Sequence, residues 1–256
     1  MPLLEVSGLS KSFGGVNAVT DLSFAVAPEQ IKAIIGPNGA GKTTVFNLLC
    51  GVLPADAGQV VFSGRNIGSL PAYRRARLGL GRSFQNTLLF DDMSVLENVI
   101  AATEAGLRLN IFAYLFRLPV VARVERTRRD IAGEALKLVG LFDKASEPAG
   151  NLPAGERRLL EIARALGTGP EIVLLDEPAA GLNNAETDRL KRAIRTIRDQ
   201  GITVLLVEHD MGLVMEICDE IVVLDQGAKI AEGPPLLIQE DDRVIEAYLG
   251  RAADDA

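Results

Sequence analysis

Residues Gly36-Pro37-Asn38-Gly39-Ala40-Gly41-Lys42-Thr43 carry the spacing G-x-x-x-x-G-K-[ST]. Glycines at those positions let successive backbone N–H groups turn inward around phosphate oxygens. A helix that begins there adds the partial positive charge of its N-terminus. Lys42 can reach β- and γ-phosphates, and the Thr43 hydroxyl can ligate Mg²⁺. A second piece of the same chemistry lies far along the chain, where Asp176 and Glu177 end the apolar run Ile172–Leu175. Such an acid pair alone is more often a helix cap. Paired with a phosphate loop, Asp176 would hold Mg²⁺ through water and Glu177 would polarise the attacking water, as general base or by positioning it. His209 is the only histidine and follows the run Val204–Val207. A lone histidine is usually structural, but here a third parallel strand would deliver it beside the phosphates, within reach of the γ-phosphate.

Two further places are open on the residues alone. Gln85 stands where the first α/β segment gives way to a helical stretch, and its amide could serve the metal and the attacking water or be a plain polar loop residue. Leu152-Pro153-Ala154-Gly155-Glu156 precedes a helical pattern. A glycine at a helix N-terminus is either an anion site or an ordinary helix start with an early proline.

The elements that must position these groups follow from hydrophobic patterning. Leu3–Val6 and Leu22–Val26 read as half-buried strands, Ile31–Ile35 as a strand running into the glycine loop, and Thr43–Leu49 as helix. Val60–Phe62 reads as another strand. From about residue 90 to 155 strand-like runs are absent and charges recur at helical spacing. Beyond 170 the alternation resumes, with strands predicted at Ile172–Leu175, Thr203–Val207 and Ile221–Leu224 and a helix at Glu186–Arg198. Asp225-Gln226-Gly227 reads as a tight turn into Lys229–Ala231. Continuous rather than alternating apolar strands predict an α/β fold with a parallel sheet covered on both faces. A helical insert interrupts one core, and the small acidic tail RAADDA is expected to be solvated.

The chain has 256 residues, enough to bury a sizeable core without disulfides. Its net charge of −7 argues against a protein that wraps nucleic acid. Two cysteines, Cys50 and Cys218, are too few for a disulfide framework or zinc cage and sit among apolar residues as reduced thiols do. No signal-peptide pattern opens the chain, and no segment approaches the ~20 apolar residues that span a bilayer. The expectation is a protein soluble by itself that docks on a membrane protein.

Taken together, the motifs resemble the ATP-binding subunit of an ABC transporter over nearly the whole chain. Gly36–Thr44 resembles the Walker A loop, Gln85 the Q-loop glutamine, Leu152–Glu156 the signature motif, Asp176 and Glu177 the Walker B acids, Ala180–Asn183 the D-loop and His209 the switch histidine. Gly155 lies 21 residues before Asp176, in keeping with that order. The runs GPNGAGKTTVFNLLCG, RLGLGRSFQN, MSVLENV, LLDEPAAGLN, LLVEHDM and VIEAYLG resemble most the LivG-type ATPases of branched-chain amino acid importers.

The resemblance implies a P-loop NTPase (RecA-like) core, about 1–88 and 157–235, with an antiparallel β subdomain. It also implies an inserted α-helical subdomain, about 89–156, and a C-terminal helix and tail, about 236–256, all in one ABC ATPase domain. The implied cofactors are ATP and Mg²⁺. Phe13 would stack on adenine, and Asn38, Gly39, Ala40, Gly41, Lys42, Thr43 and Thr44 would hold the triphosphate. Gly155 and Glu156 would face a nucleotide, Thr43, Gln85 and Asp176 would serve the metal, and Glu177, His209 and Gln85 would serve hydrolysis. The implied partners are two membrane permease subunits, a second ATPase subunit (as a heterodimer, or another copy of this chain), and indirectly an extracytoplasmic solute-binding protein, with no nucleic acid. The implied location is peripheral, on the cytoplasmic face of the inner membrane.

The family-wide signature is Leu-Ser-Gly-Gly-Gln/Glu, whereas Pro153 and Ala154 stand here in place of serine and glycine; proline has neither hydroxyl nor N–H. Asn183 replaces the D-loop acid, and Phe13 stands where tyrosine is commoner. The leading function is an ATPase driving solute uptake. Urea or a short-chain amide is the alternative cargo. A regulatory or DNA-maintenance ATPase lacks room here for its coiled coil or second head, and a small-molecule kinase leaves Gln85, Gly155 and His209 unexplained.

Overall fold

A computed structural model describes residues 1–83, 89–103 and 119–252. Gln85 and Leu88 lie outside the described residues. The predicted strand Ile31–Ile35 is β3, buried at all five positions. It sits inside a six-stranded sheet of order β10-β9-β3-β8-β7-β6, with β6 at Leu80–Arg82, β7 at Ile172–Asp176, β8 at Thr203–Val207, β9 at Glu220–Asp225 and β10 at Ala228–Gly233. The first five in space after β10 run parallel; β10 alone is antiparallel to its neighbour. The turn between β9 and β10 places Gln226 and Gly227 at φ 45 and 82, the left-handed pair that a two-residue hairpin requires.

Why the central strands read as unbroken apolar runs is visible in their packing. Side chains alternate between two faces, and both faces are covered. Ile31, Ala33, Ile35, Val173, Leu175, Val204 and Leu206 enter one hydrophobic layer. Ile34, Ile172, Leu174, Leu205 and Val207 enter the other. The first layer is closed by helices α3 (Val95–Thr103), α4 (Pro119–Leu138), α5 (Ala154–Leu166) and α6 (Asn184–Asp199). The second is closed by α1 (Lys42–Leu49) and by an antiparallel sheet of β1 (Leu4–Phe13), β2 (Val16–Val26), β4 (Ala57–Phe62) and β5 (Arg65–Asn66), ordered β2-β1-β4-β5.

The β1–β2 hairpin is much longer than the short strands predicted at Leu3–Val6 and Leu22–Val26. Register shifts after Val6, Leu9 and Lys11 break the alternation that reveals a strand. A six-residue helix α2 (Ala72–Arg77) and the short β6 carry too little apolar periodicity to be seen in the sequence. After β8 come α7 (Met211–Ile217) and, past β10, α8 (Pro235–Gln239) and α9 (Asp242–Ala252). No helix among the described residues is long and apolar enough to cross a membrane.

One of the buried charges joins the two sheets. Lys32 on β3 is 1% exposed. Its ammonium donates to Ala25 O at 2.6 Å, Glu220 Oε2 at 2.9 Å and Glu232 Oε1 at 2.5 Å, so a buried charge is paired and hydrogen-bonded as burial demands. The contact ties β2 of the small sheet to β3, β9 and β10 of the large one.

Candidate functional site

At the carboxyl ends of the parallel strands, where ligands of open α/β sheets bind, the loop between β3 and α1 folds around a cavity of about 560 Å³. Its walls are the 38–44 segment, Glu177 and Gln226, with Val16, Asn17 and Ala18 from the start of β2. Gly41, the residue before α1, has φ 98 and ψ 2, a left-handed conformation that glycine adopts without cost. A Cβ there would lie 2.3 Å from Ala18 O, so the loop and the hairpin pack too closely for any other residue.

Lys42 is nearly buried, and its ammonium donates to Gly36 O at 2.7 Å and Pro37 O at 3.0 Å, arching back over the loop. Burial lowers its pKa and the nearby Glu177 carboxylate opposes that shift. An anion entering the loop supplies a further stabilising charge.

Asp176 is the last residue of β7 and 2% exposed. Burial raises its pKa, and Arg82 on β6 works against that by donating Nη2 to Asp176 Oδ2 at 3.0 Å. The other Arg82 arm, Nη1, donates to Asn47 Oδ1 on α1 at 2.8 Å, so one guanidinium joins the acid strand to the phosphate-loop helix. Asp176 Oδ1 is buried with no hydrogen-bond partner. A hard cation would satisfy that oxygen; the neighbouring Glu177 and Thr43 both line the phosphate cavity, although Asp176 itself is not on its wall. Mg²⁺ is commonly held by one or two side chains plus phosphate oxygens rather than by a protein cage; no cage of three His, Cys, Asp or Glu exists among the described residues. The residues therefore fit Mg²⁺.

Glu177 follows at φ 46, a left-handed conformation costing a non-glycine residue about 1–3 kcal/mol and concentrated at functional sites. Its N–H donates to Val207 O at 2.9 Å, which sets the ends of β7 and β8 side by side. His209 follows β8, its side chain 57% exposed. Glu208, fully buried beside it, accepts from the N–H groups of Ala179 at 2.7 Å, His209 at 3.0 Å and Asp210 at 3.4 Å. Burial raises the Glu208 pKa and those three N–H bonds oppose it. Glu208 thus ties the turn after Glu177 to the loop bearing His209.

The structure gathers residues 38–44 with Glu177 around one cavity. Phe13 is not on its wall; Val16, its partner across the hairpin, is. Gly155 and Glu156 lie elsewhere, at the start of α5. Gly155 N–H donates to Glu186 Oε1 at 3.2 Å, while Glu186 Oε2 accepts from Asn183 N–H at 3.0 Å. Glu156 accepts from Lys144 at 2.6 Å. Gln85 falls outside the described residues. Sequence reasoning missed Arg82, Asn47 and Glu208. Of these only Glu208 left a signal, an acid directly ahead of the histidine.

A parallel sheet with a phosphate loop after its central strand β3 and an acid pair at the end of β7, one strand beyond its neighbour β8, defines a P-loop ATPase cassette. Residues 19–180 match the ABC transporter family model, and residues 228–254 match that of the branched-chain amino acid ATP-binding cassette transporter. The chain is 48% identical to the high-affinity branched-chain amino acid transport ATP-binding protein BraF of Pseudomonas aeruginosa, over 98% of this chain and 99% of that protein. It is 44% identical, with the same coverage, to LivG of Escherichia coli, which carries the same description. An ATP-binding cassette of an ABC transporter solved in its ADP conformation superposes with a TM-score of 0.86 at 30% identity, covering 98% and 99% of the two chains. The chain belongs to the ABC transporter family and is an ATP-binding, ATP-hydrolysing cassette.

Proposed function

We propose that this cassette is the motor of an importer for branched-chain or related amino acids, acting at the cytoplasmic face of the inner membrane. The observation that carries the cargo class is the match of residues 228–254 to the branched-chain family model, alongside near-complete coverage of BraF and LivG. ATP binds with its phosphates on the amides of residues 38–44 and on Lys42. Thr43 and Asp176 would hold Mg²⁺, with Gln85 assigned to the same ion, and the ion would supply positive charge against the phosphates. Glu177 orients and accepts a proton from the attacking water. His209 reaches the γ-phosphate, oriented through Glu208. Phe13 offers its half-exposed ring to adenine.

Gly155 and Glu156 serve a nucleotide held by a second ATPase subunit, either a different one or a second copy. Two permease subunits seat in the groove between the core and the helical insert of about 89–156. A cavity of about 400 Å³ between α2, β6, α3 and α5 supports that reading, as does Phe90, 50% exposed and capped by the Arg164 guanidinium at 5.4 Å. The test is ATP-dependent uptake by the assembled transporter in vesicles. Leucine, isoleucine or valine is expected to be taken up, whereas uptake of urea or short amides alone would replace the cargo class.

A further inference from the structure

Arg75 lies on α2 and is 2% exposed. Its Nη1 donates to Leu48 O and Leu49 O, each at 2.7 Å, its Nε to Leu70 O at 2.8 Å and its Nη2 to Gly68 O at 2.9 Å. Burial lowers its pKa. A buried cation is unfavourable unless dipoles are aimed at it, and here four carbonyls are. Two of them belong to the last turn of α1, where carbonyls lack intrahelical partners and the helix carries its partial negative charge. At the other end of this helix, about 12 Å away at 1.5 Å per residue, stands Lys42.

The fit is close on both sides. Gly51, just past α1, has φ 71, and a Cβ there would lie 2.7 Å from Arg75 Nε and 2.8 Å from Leu70 O. An adjoining face of α2, with Ala72, Tyr73 and Ala76, lines the 400 Å³ cavity that also meets α5. One short helix therefore touches the groove with one face and the back of the phosphate-loop helix with the other.

We infer that Arg75 is a positioning residue that links this groove to the nucleotide site: movement of α2 passes through the guanidinium to the C-terminal end of α1, and so to Lys42 and the loop amides. The inference rests on the ATPase reading for the nucleotide and on the permease-seat reading only for what pushes α2.

The isolated chain has no tryptophan, so Tyr73→Trp places a single, selectively excitable tryptophan on the groove face of α2. Mg·ATP is expected to change its emission, and adding Arg75→Met is expected to abolish that change while a fluorescent ATP analogue still binds. If Arg75→Met does not fold, Arg75→Lys, which keeps charge and loses the fork, is read in the same way. A merely structural arginine would lower Tm and leave the ATP-induced emission change intact. That result, or no emission change in either background with ATP bound, overturns the link. Failure of the permease to seat in the groove would show in complex assembly and leave this readout untouched.

Discussion

Lys42 is a cation held by loop carbonyls in a wall shared with a carboxylate, Glu177. Its ammonium gains most when phosphates arrive. A charge-assisted contact contributes about 1.5–3 kcal/mol, so Lys42→Ala is expected to raise the Mg·ATP dissociation constant by roughly 10- to 150-fold, measured with a fluorescent analogue. Glu208 obeys the opposite logic, because burial raises its pKa. A carboxyl raised in the folded state binds its proton there before the unfolded chain does. It therefore costs stability as pH rises from the ordinary carboxylate range through its folded value, and that cost is relieved on acidification. Glu208→Gln has no such titration. Its Tm relative to wild type is expected to climb as pH is raised through that window; a pH-independent difference would mean that Glu208 is not strained by burial. The placement of the phosphate loop, Asp176, Glu177 and His209 at the ends of β3, β7 and β8 was legible because the apolar strands ahead of them are. Arg82 was not, since its partners Asp176 and Asn47 are 94 and 35 positions away and only the sheet order brings them together.

At the scale of elements, the fully buried strands were legible because both faces are apolar: Ile31–Ile35 and Thr203–Val207 appear with the bounds that patterning predicts. The hairpin β1–β2 was read short because bulges shift its period and much of one face meets solvent. Helix α6 was predicted to begin at Glu186; it begins at Asn184, behind the cap Asn183, whose Oδ1 accepts from Glu186 N–H at 3.0 Å while Glu186 answers Asn183 N–H. This reciprocal cap also aims Glu186 at Gly155. Asn183→Ala is expected to cost about 1 kcal/mol, a fall in Tm of about 2–4 °C for a chain of this size, read by calorimetry. No change in Tm would show that the cap is not what holds the start of α6.

The whole molecule is two sheets closing on one glycine loop, with a helical layer set against its flank. Phe90 stands at that flank on a loop fixed by the buried Asn98, which accepts from Phe90 N–H at 2.9 Å and donates to Phe90 O at 3.0 Å. The Phe90 ring is half-exposed, so Phe90→Asp is expected to leave folding and ATP binding unchanged and to abolish co-purification with the permease subunits. Unfolding of the variant would assign the ring to the helical layer's own packing. A single chain's hydrophobic pattern reports its own core, so the seat expected for a partner rests on the family resemblance and on exposed apolar side chains such as Phe90.

The central claim is that Glu177, held at φ 46 beside the phosphate loop, activates the water that attacks ATP. Glu177→Gln preserves side-chain size and removes the base. Steady-state ATPase of the assembled complex, measured beside nucleotide affinity, tests it most directly. The account predicts affinity within a few-fold of wild type and turnover reduced at least 100-fold, in the range typical of a lost general base. Turnover at the wild-type rate with ATP bound would contradict it.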